Sequence, residues 1–333
     1  MAFFADKASK PSTRSSVRDK AFEGAYISVD SLLKLRHIAK DVTLQTNKKS
    51  SAIMDGDSRT SFRGRGMEFA EVRPYHAGDD IRNIDWRVTA RAQKPYTKLF
   101  QEERERPIFL VVDQRSPMFF GSVAQFKSVY AAKLAATISW AALANNDRIG
   151  ALIFSDTSQT DSRARRGKHA VLALLHQLHT FNGALNSPFM PEQHNTLEEM
   201  LTDIRRAAKP GSAVYIISDF HDFNEGCKEP LSVLSRHTDV SLFHVHDPLE
   251  KILPLQQNLT IASGDGDGQI DLSGQSSRFN EAFSQSFERN QEAIRHACQV
   301  AGVTFASLSI DIPLEQMLSD VFVNRTQRRR GGR

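Results

Sequence analysis

Two aspartates stand where an α/β protein would meet a ligand. Ile108-Phe109-Leu110-Val111-Val112 is an unbroken apolar run that closes on Asp113, and Ala213 to Ile217 is a second one that closes on Ser218-Asp219. Such runs mark strands buried on both faces of a parallel sheet, whose ligands sit in the crevice beyond the carboxyl ends of the strands. Two carboxylates there suit two kinds of chemistry. With waters as further oxygen donors, they could hold a hard divalent cation. With His221 of Asp219-Phe220-His221-Asp222 as acid or base, they would make a metal-dependent phosphoester hydrolase. Arg115 opposes both readings, because a guanidinium stays protonated and repels a cation. The competing expectation is that Arg115 takes the electrostatic place of the metal and bridges Asp113 and Asp219.

A second group precedes the first of these runs. Arg73, Tyr75, Asp79, Asp80, Arg82, Asp85, Trp86 and Arg91 lie in a block, residues 61–106, that carries ten Lys/Arg against eight Asp/Glu. Dense, nearly balanced charge threaded with aromatics suits a buried ion-pair network or a recognition surface, and composition leaves both open. Position divides the block. Asp85, Trp86 and Arg91, where charge and aromatic alternate tightly, are expected to close the fold. Asp79, Asp80 and Arg82 follow a turn marked by Pro74 and Gly78 and are expected to be exposed contacts.

The elements that must position these residues can be read from periodicity. Val123, Phe126, Tyr130, Leu134, Ile138 and Ala141 recur at helical spacing, and Ile149 to Phe154 is a further strand. A basic turn at Arg163-Ala164-Arg165-Arg166 leads to a helix over His169–Leu178. Thr196 caps a helix over Leu197–Ala208. A short helix at Leu231–Arg236, a strand at Val240–Val245, a long helix at Phe279–Val300 and a strand at Val303–Leu308 complete the series. This alternation predicts an open, mostly parallel α/β sheet with helices on both faces. Four segments are expected: 1–60, polar, with one helix near Ser28 and a loop; 61–106, the charged, β-rich block packed on the main domain; 107–324, the α/β domain; and 325–333, a basic tail. Ala262 to Leu272 reads as an inserted hairpin.

The net charge of +4 sits at the ends. Without residues 1–20 and 325–333 the body holds 33 basic against 37 acidic residues, so no nucleic-acid-binding stripe is legible. Cys227 and Cys298 read as free thiols, and neither a signal peptide nor an apolar run of about 20 residues appears, so a cytoplasmic protein without a membrane span is expected. Asp265, Asp267 and Asp271 lack the Gly and Glu of a calcium loop, and His169, His176 and His179 lack companions at ligand spacing. No phosphate-binding Gly-x-x-x-x-Gly-Lys-Ser/Thr loop and no Gly-x-Ser-x-Gly elbow is present, so no machinery for nucleotide hydrolysis is visible.

The block Glu68-Phe69, Arg73-Pro74-Tyr75, Gly78-Asp79-Asp80, Arg82, Ile84-Asp85-Trp86, Ala90-Arg91, set ahead of a strand ending Val111-Val112-Asp113-Gln114-Arg115-Ser116-Pro117-Met118, resembles the bacterial family called domain of unknown function 58 (DUF58). The resemblance runs from about Gly64 to the C-terminus. It implies a von Willebrand factor A-like fold and a non-catalytic adaptor that works with a MoxR-type AAA+ ATPase and other von Willebrand A proteins. Such domains hold a divalent cation by Asp-x-Ser-x-Ser after the first strand, a Thr and a second Asp. Here Arg115 and Pro117 replace the two serines, so the resemblance implies a degenerate metal site with no resident cofactor. Asp113, Ser116 and Asp219 are the remnant candidates for Mg²⁺.

Overall fold

The computed structural model describes residues 24–42, 44, 67–76, 79–102, 107–184, 195–254, 260–262, 269–271 and 277–323. The chain divides into two units, residues 48–106 and residues 1–47 with 107–333. The helix expected near Ser28 is α1 (Val29–Lys34), capped by the Ser28 hydroxyl, which accepts from Ser31 N at 3.2 Å. It belongs to the α/β core: Ile27 N donates to Asn182 Oδ1 at 2.8 Å and Trp140 Nε1 donates to the Leu32 carbonyl at 3.0 Å.

The smaller unit is built on β1 (Met67–Pro74), α2 (Trp86–Ala92) and β2 (Tyr96–Glu102). The two strands pair antiparallel, from Met67 opposite Glu102 to Pro74 opposite Tyr96, with a register shift between Phe69 and Glu71. Between them the chain makes a 3₁₀ turn at Ile81–Asn83 and then α2, a helix that the expected β-rich block did not include.

The larger unit continues through β3 (Ile108–Asp113), α3 (Lys127–Ala144), β4 (Ile149–Phe154), β5 (Gln159–Arg165), α4 (Lys168–Ala184) and α5 (Leu197–Ala207). It ends with β6 (Ala213–Ser218), α6 (Lys228–His237), β7 (Asp239–His246), α7 (Pro248–Lys251), β8 (Thr260–Ala262), β9 (Gln269–Asp271), α8 (Ser277–Ala301), β10 (Thr304–Ser309) and α9 (Leu314–Leu318). Six strands form one sheet in the order β10-β7-β6-β3-β4-β5, parallel except for β5. This is the open, mostly parallel α/β class that the sequence predicts. β8 and β9 pair as the arms of the expected hairpin; its turn lies outside the described residues.

Alternation along β3 splits the core. Ile108, Leu110 and Val112 pack with α1, α3, α4 and α9, while Phe109 and Val111 pack with α5, α6 and α8. α3 is buried from Lys127 to Ala142 except at Lys133, because it lies between the sheet and α1 and α4. That position explains its small-residue, nearly uniformly apolar sequence. Two boundaries differ from expectation. α3 starts at Lys127 because Phe126 is extended (φ −83°, ψ 158°), which leaves Val123 exposed in the preceding loop. Residues 163–165 of the basic turn are instead the end of β5, whose exposed side chains alternate with half-buried Thr160, Ser162 and Ala164 in the period of an edge strand. Among the described residues no helix is long and apolar enough to cross a membrane.

Candidate functional site

β3 is where the order of the sheet reverses. From it the chain winds outward through β4 and β5, then returns to β6 on the other side and continues to β7 and β10. The crevice beyond the ends of β3 and β6 is therefore the place where an open α/β sheet takes ligands. Asp113 ends β3, Ser218 ends β6 with Asp219 following, and all three are buried. Arg115 and Ser116 come off β3 into a 3₁₀ turn at Ser116–Met118.

Arg115 fills the crevice. Its Nε lies 3.1 and 3.2 Å from the two oxygens of Asp113, and Nη2 lies 2.8 Å from Asp113 Oδ2. Nη1 and Nη2 donate to Asp222 Oδ2 and Oδ1 at 2.7 and 3.0 Å, and Nη1 also donates to the Asn195 carbonyl at 3.1 Å. All five N–H groups of the guanidinium are thus engaged. The plane sits over the Phe154 ring, 5.3 Å from its centroid. Burial disfavours the charge, but Asp113 and Asp222 outweigh it and hold the guanidinium pKa above its usual value. Asp113 is closed from its other sides by the Ser218 hydroxyl at 2.6 Å and by Arg115 N at 2.9 Å.

The expected bridge from Asp113 to Asp219 is therefore corrected: Arg115 joins Asp113 to Asp222. Asp219 has a different cation. Lys127, 2% exposed at the first position of α3, places Nζ 2.8 Å from Asp219 Oδ2 and 2.5 Å from Glu250 Oε1. A helix N-terminus disfavours a cation, so these two carboxylates are what make the position tenable. Burial opposes the charge on Lys127, yet Asp219 and Glu250 raise its pKa. Burial alone would raise Asp219, but Lys127 and His221 hold it well below the carboxylate range. His221 Nδ1 lies 3.0 Å from Asp219 Oδ1; although burial works the other way, that contact raises the imidazole pKa. Phe220, between these two residues, is held at φ +50° with its ring buried.

Ser116 does not face Asp113. Its backbone N and Oγ both donate to Asp156 Oδ2, at 2.9 and 2.5 Å. The remnant set thus fails as a Mg²⁺ site. The lone pairs of Asp113 are spent on Arg115 and Ser218, Asp219 is bound to an ammonium, and the Ser116 hydroxyl is turned to another strand end. Among the described residues no three His, Cys, Asp or Glu side chains are grouped to hold a metal.

Sequence reasoning missed Lys127, Asp222 and Glu250. Lys127 had a signal: it lies on the stripe continued by Tyr130, Leu134 and Ile138, and a lysine on a buried helix face requires a carboxylate partner. Asp222 and Glu250 gave none, since only the fold brings them here. His244 and His246, adjacent on one face of β7, are covered by Phe287 of α8. Burial, with help from His246, depresses the His244 pKa to about 3, and its Nδ1 has no hydrogen-bond partner.

In the smaller unit the signature acids serve the backbone. Asp79 accepts from Arg73 Nη2 at 2.7 Å and His76 N at 2.9 Å, and Asp80 accepts from Arg82 N at 2.9 Å. Asp85 caps α2 through Arg87 N and Val88 N and faces Lys98 at 3.6 Å. Tyr75 N donates to the Pro95 carbonyl at 2.8 Å, and its side chain is half-buried. Asp79, Asp80 and Asp85 are thus half-buried and bonded within the unit, whereas Trp86, Arg91 and, as expected, Arg82 are exposed.

Residues 71–293 match the model of the family described as "Protein of unknown function DUF58". Uncharacterized proteins of Mycobacterium bovis and Mycobacterium tuberculosis are 26% identical over 299 residues, which is 90% of this chain and 91% of each relative. Among solved structures, an aerotolerance-related membrane protein from Bacteroides fragilis is similar over 67% of this chain and 99% of its own, at 16% identity and a TM-score of 0.40. A von Willebrand factor type A protein from Catenulispora acidiphila is similar over 45% and 35%, at 10% identity and a TM-score of 0.31.

Proposed function

The chain belongs to the DUF58 family, and from that premise we propose that it is a non-catalytic protein-interaction module, an adaptor that works with a MoxR-type AAA+ ATPase in assembling a client complex. One observation carries the reading: the strand-end crevice is filled by the chain's own cations, Arg115 on Asp113 and Asp222, and Lys127 on Asp219 and Glu250. A crevice built this way needs no ion to hold its loops. Arg115 retains no free donor with which to polarise a substrate. The phosphoester-hydrolase alternative would need Asp113 and Asp219 as metal ligands, and both are committed elsewhere. Work on a client would then draw its energy from the partner ATPase. A cytoplasmic setting belongs to the same reading, in keeping with the unpaired thiols of Cys227 and Cys298.

Co-purification tests the partner. Tagged chain, mixed with the MoxR-type ATPase of the same genome and with ATP, ADP or no nucleotide, is expected to retain the ATPase in at least one state. Retention in none would remove the support for the adaptor role.

A further inference from the structure

The two tryptophans of the chain have opposite surroundings. Trp140 is 3% exposed, whereas Trp86 is 68% exposed and Ile81, five residues earlier, is 65% exposed. Among the described residues the Trp86 ring has no aromatic or cation partner. Capping by Asp85 fixes the start of α2 and so holds Trp86 at its first position. An ordered tryptophan set out in water on a capped helix is not explained by the packing of its own unit.

Charge around it is one-sided. Residues 79–98 contain Asp79, Asp80 and Asp85 against Arg82, Arg87, Arg91, Lys94 and Lys98. The three acids are turned to backbone N–H groups, to Arg73 and to Lys98. Arg82, Arg87, Arg91 and Lys94 are exposed and make no ion pair among the described residues. The acids of this segment therefore shape the loop, while the cations are presented outward.

We propose that Trp86, Ile81, Arg82, Arg87, Arg91 and Lys94 form a docking surface for an acidic polypeptide segment that carries an apolar side chain. This deepens the interaction-module reading and rests on it. Tryptophan and arginine are the residues that most often anchor protein contacts. Arg87 and Arg91 stand one helical turn apart, about 6 Å, which matches carboxylates two apart on an extended segment or four apart on a helix. The charge complement of the surface is negative. A nucleic acid fits less well: α2 is only about 10 Å long by its rise per residue, and the body outside the two ends is net acidic, so no long basic track supports a polyanion.

The probe is a random copolymer of glutamate and tyrosine, titrated into the full chain at low salt with excitation of tryptophan alone. Trp140 is already buried, so a blue shift with saturation reports Trp86 entering the contact. Binding is expected to weaken at least tenfold in Trp86→Ala and in Arg87→Glu/Arg91→Glu, to fall steeply with added salt, and to be unchanged in Arg163→Glu on β5. Absence of binding, or equal binding by both surface variants, overturns the proposal. Tighter binding of a single-stranded oligonucleotide or of phosphatidylglycerol vesicles at the same residues overturns its polypeptide assignment. The two readings fail separately: if the copolymer does not bind, or binds both surface variants equally, while the ATPase still co-purifies with wild type, the surface is wrong and the adaptor stands.

Discussion

Replacing Arg115 by Met removes the guanidinium and keeps most of its stem. Asp113, fully buried, would be left with only the Ser218 hydroxyl and one backbone N–H as donors, whereas Asp222, a quarter exposed, could recover water. The loss is therefore concentrated on Asp113, and breaking a buried pair from one side costs about 3–5 kcal/mol. With a urea slope of roughly 3 kcal/mol/M for a unit this large, the midpoint should fall by about 1–1.7 M. Far-ultraviolet circular dichroism during urea unfolding is the assay, because α3, α4 and α5 all lie in this unit. Adding Asp113→Asn to Arg115→Met neutralises the orphan and should return about 1 kcal/mol or more. A loss under about 1 kcal/mol in Arg115→Met, or a double variant weaker by the sum of both singles, would refute the idea that the guanidinium neutralises a buried carboxylate.

Three further outcomes follow from the same geometry. Lys127→Met should cost about 3 kcal/mol or more in urea unfolding, since Asp219 is 5% exposed and loses its cation; the relief of the helix N-terminus, about 0.3–1 kcal/mol, offsets only part. His221, with its pKa raised, contributes stability that is complete below pH 6.5 and lost as pH rises through the raised value; a scan of thermal midpoint against pH should show this decline in the wild type and not in His221→Gln. His244, depressed from 6.5 to about 3, acts in the opposite direction: it stays neutral in the fold, so stability falls as pH drops from 6.5 towards 3, by at most about 5 kcal/mol, and His244→Phe should remove that part of the acid sensitivity.

The legible parts of the fold were those whose burial leaves a one-dimensional trace. β3 and β6 read as apolar runs because both faces of the central strands are covered, and α5 was visible through Thr196, whose side chain accepts from Glu199 N in a capping box. β5 was hidden because an edge strand keeps its charges, and Arg163, Arg165 and Arg166 look like a turn when counted as charge and not as period. α2 was hidden because seven residues with alternating polar and apolar side chains show no helical stripe. In the crevice, Asp113 and Arg115 could be paired from sequence because they are two residues apart. Asp222 lies 107 residues from Arg115 and Glu250 lies 123 from Lys127, so only the sheet order makes them neighbours. Trp86 was ambiguous in another way: an aromatic among charges suits closure and contact equally, and composition carries no record of its exposure.

Titration calorimetry of the purified chain with Mg²⁺ and Mn²⁺ tests most directly whether the crevice has exchanged its metal for fixed cations. No saturable heat is expected with either ion, and none in Asp113→Ala. Saturable, near-stoichiometric binding that vanishes in Asp113→Ala would contradict it, because Asp113 would then be a ligand and Arg115 only a neighbour.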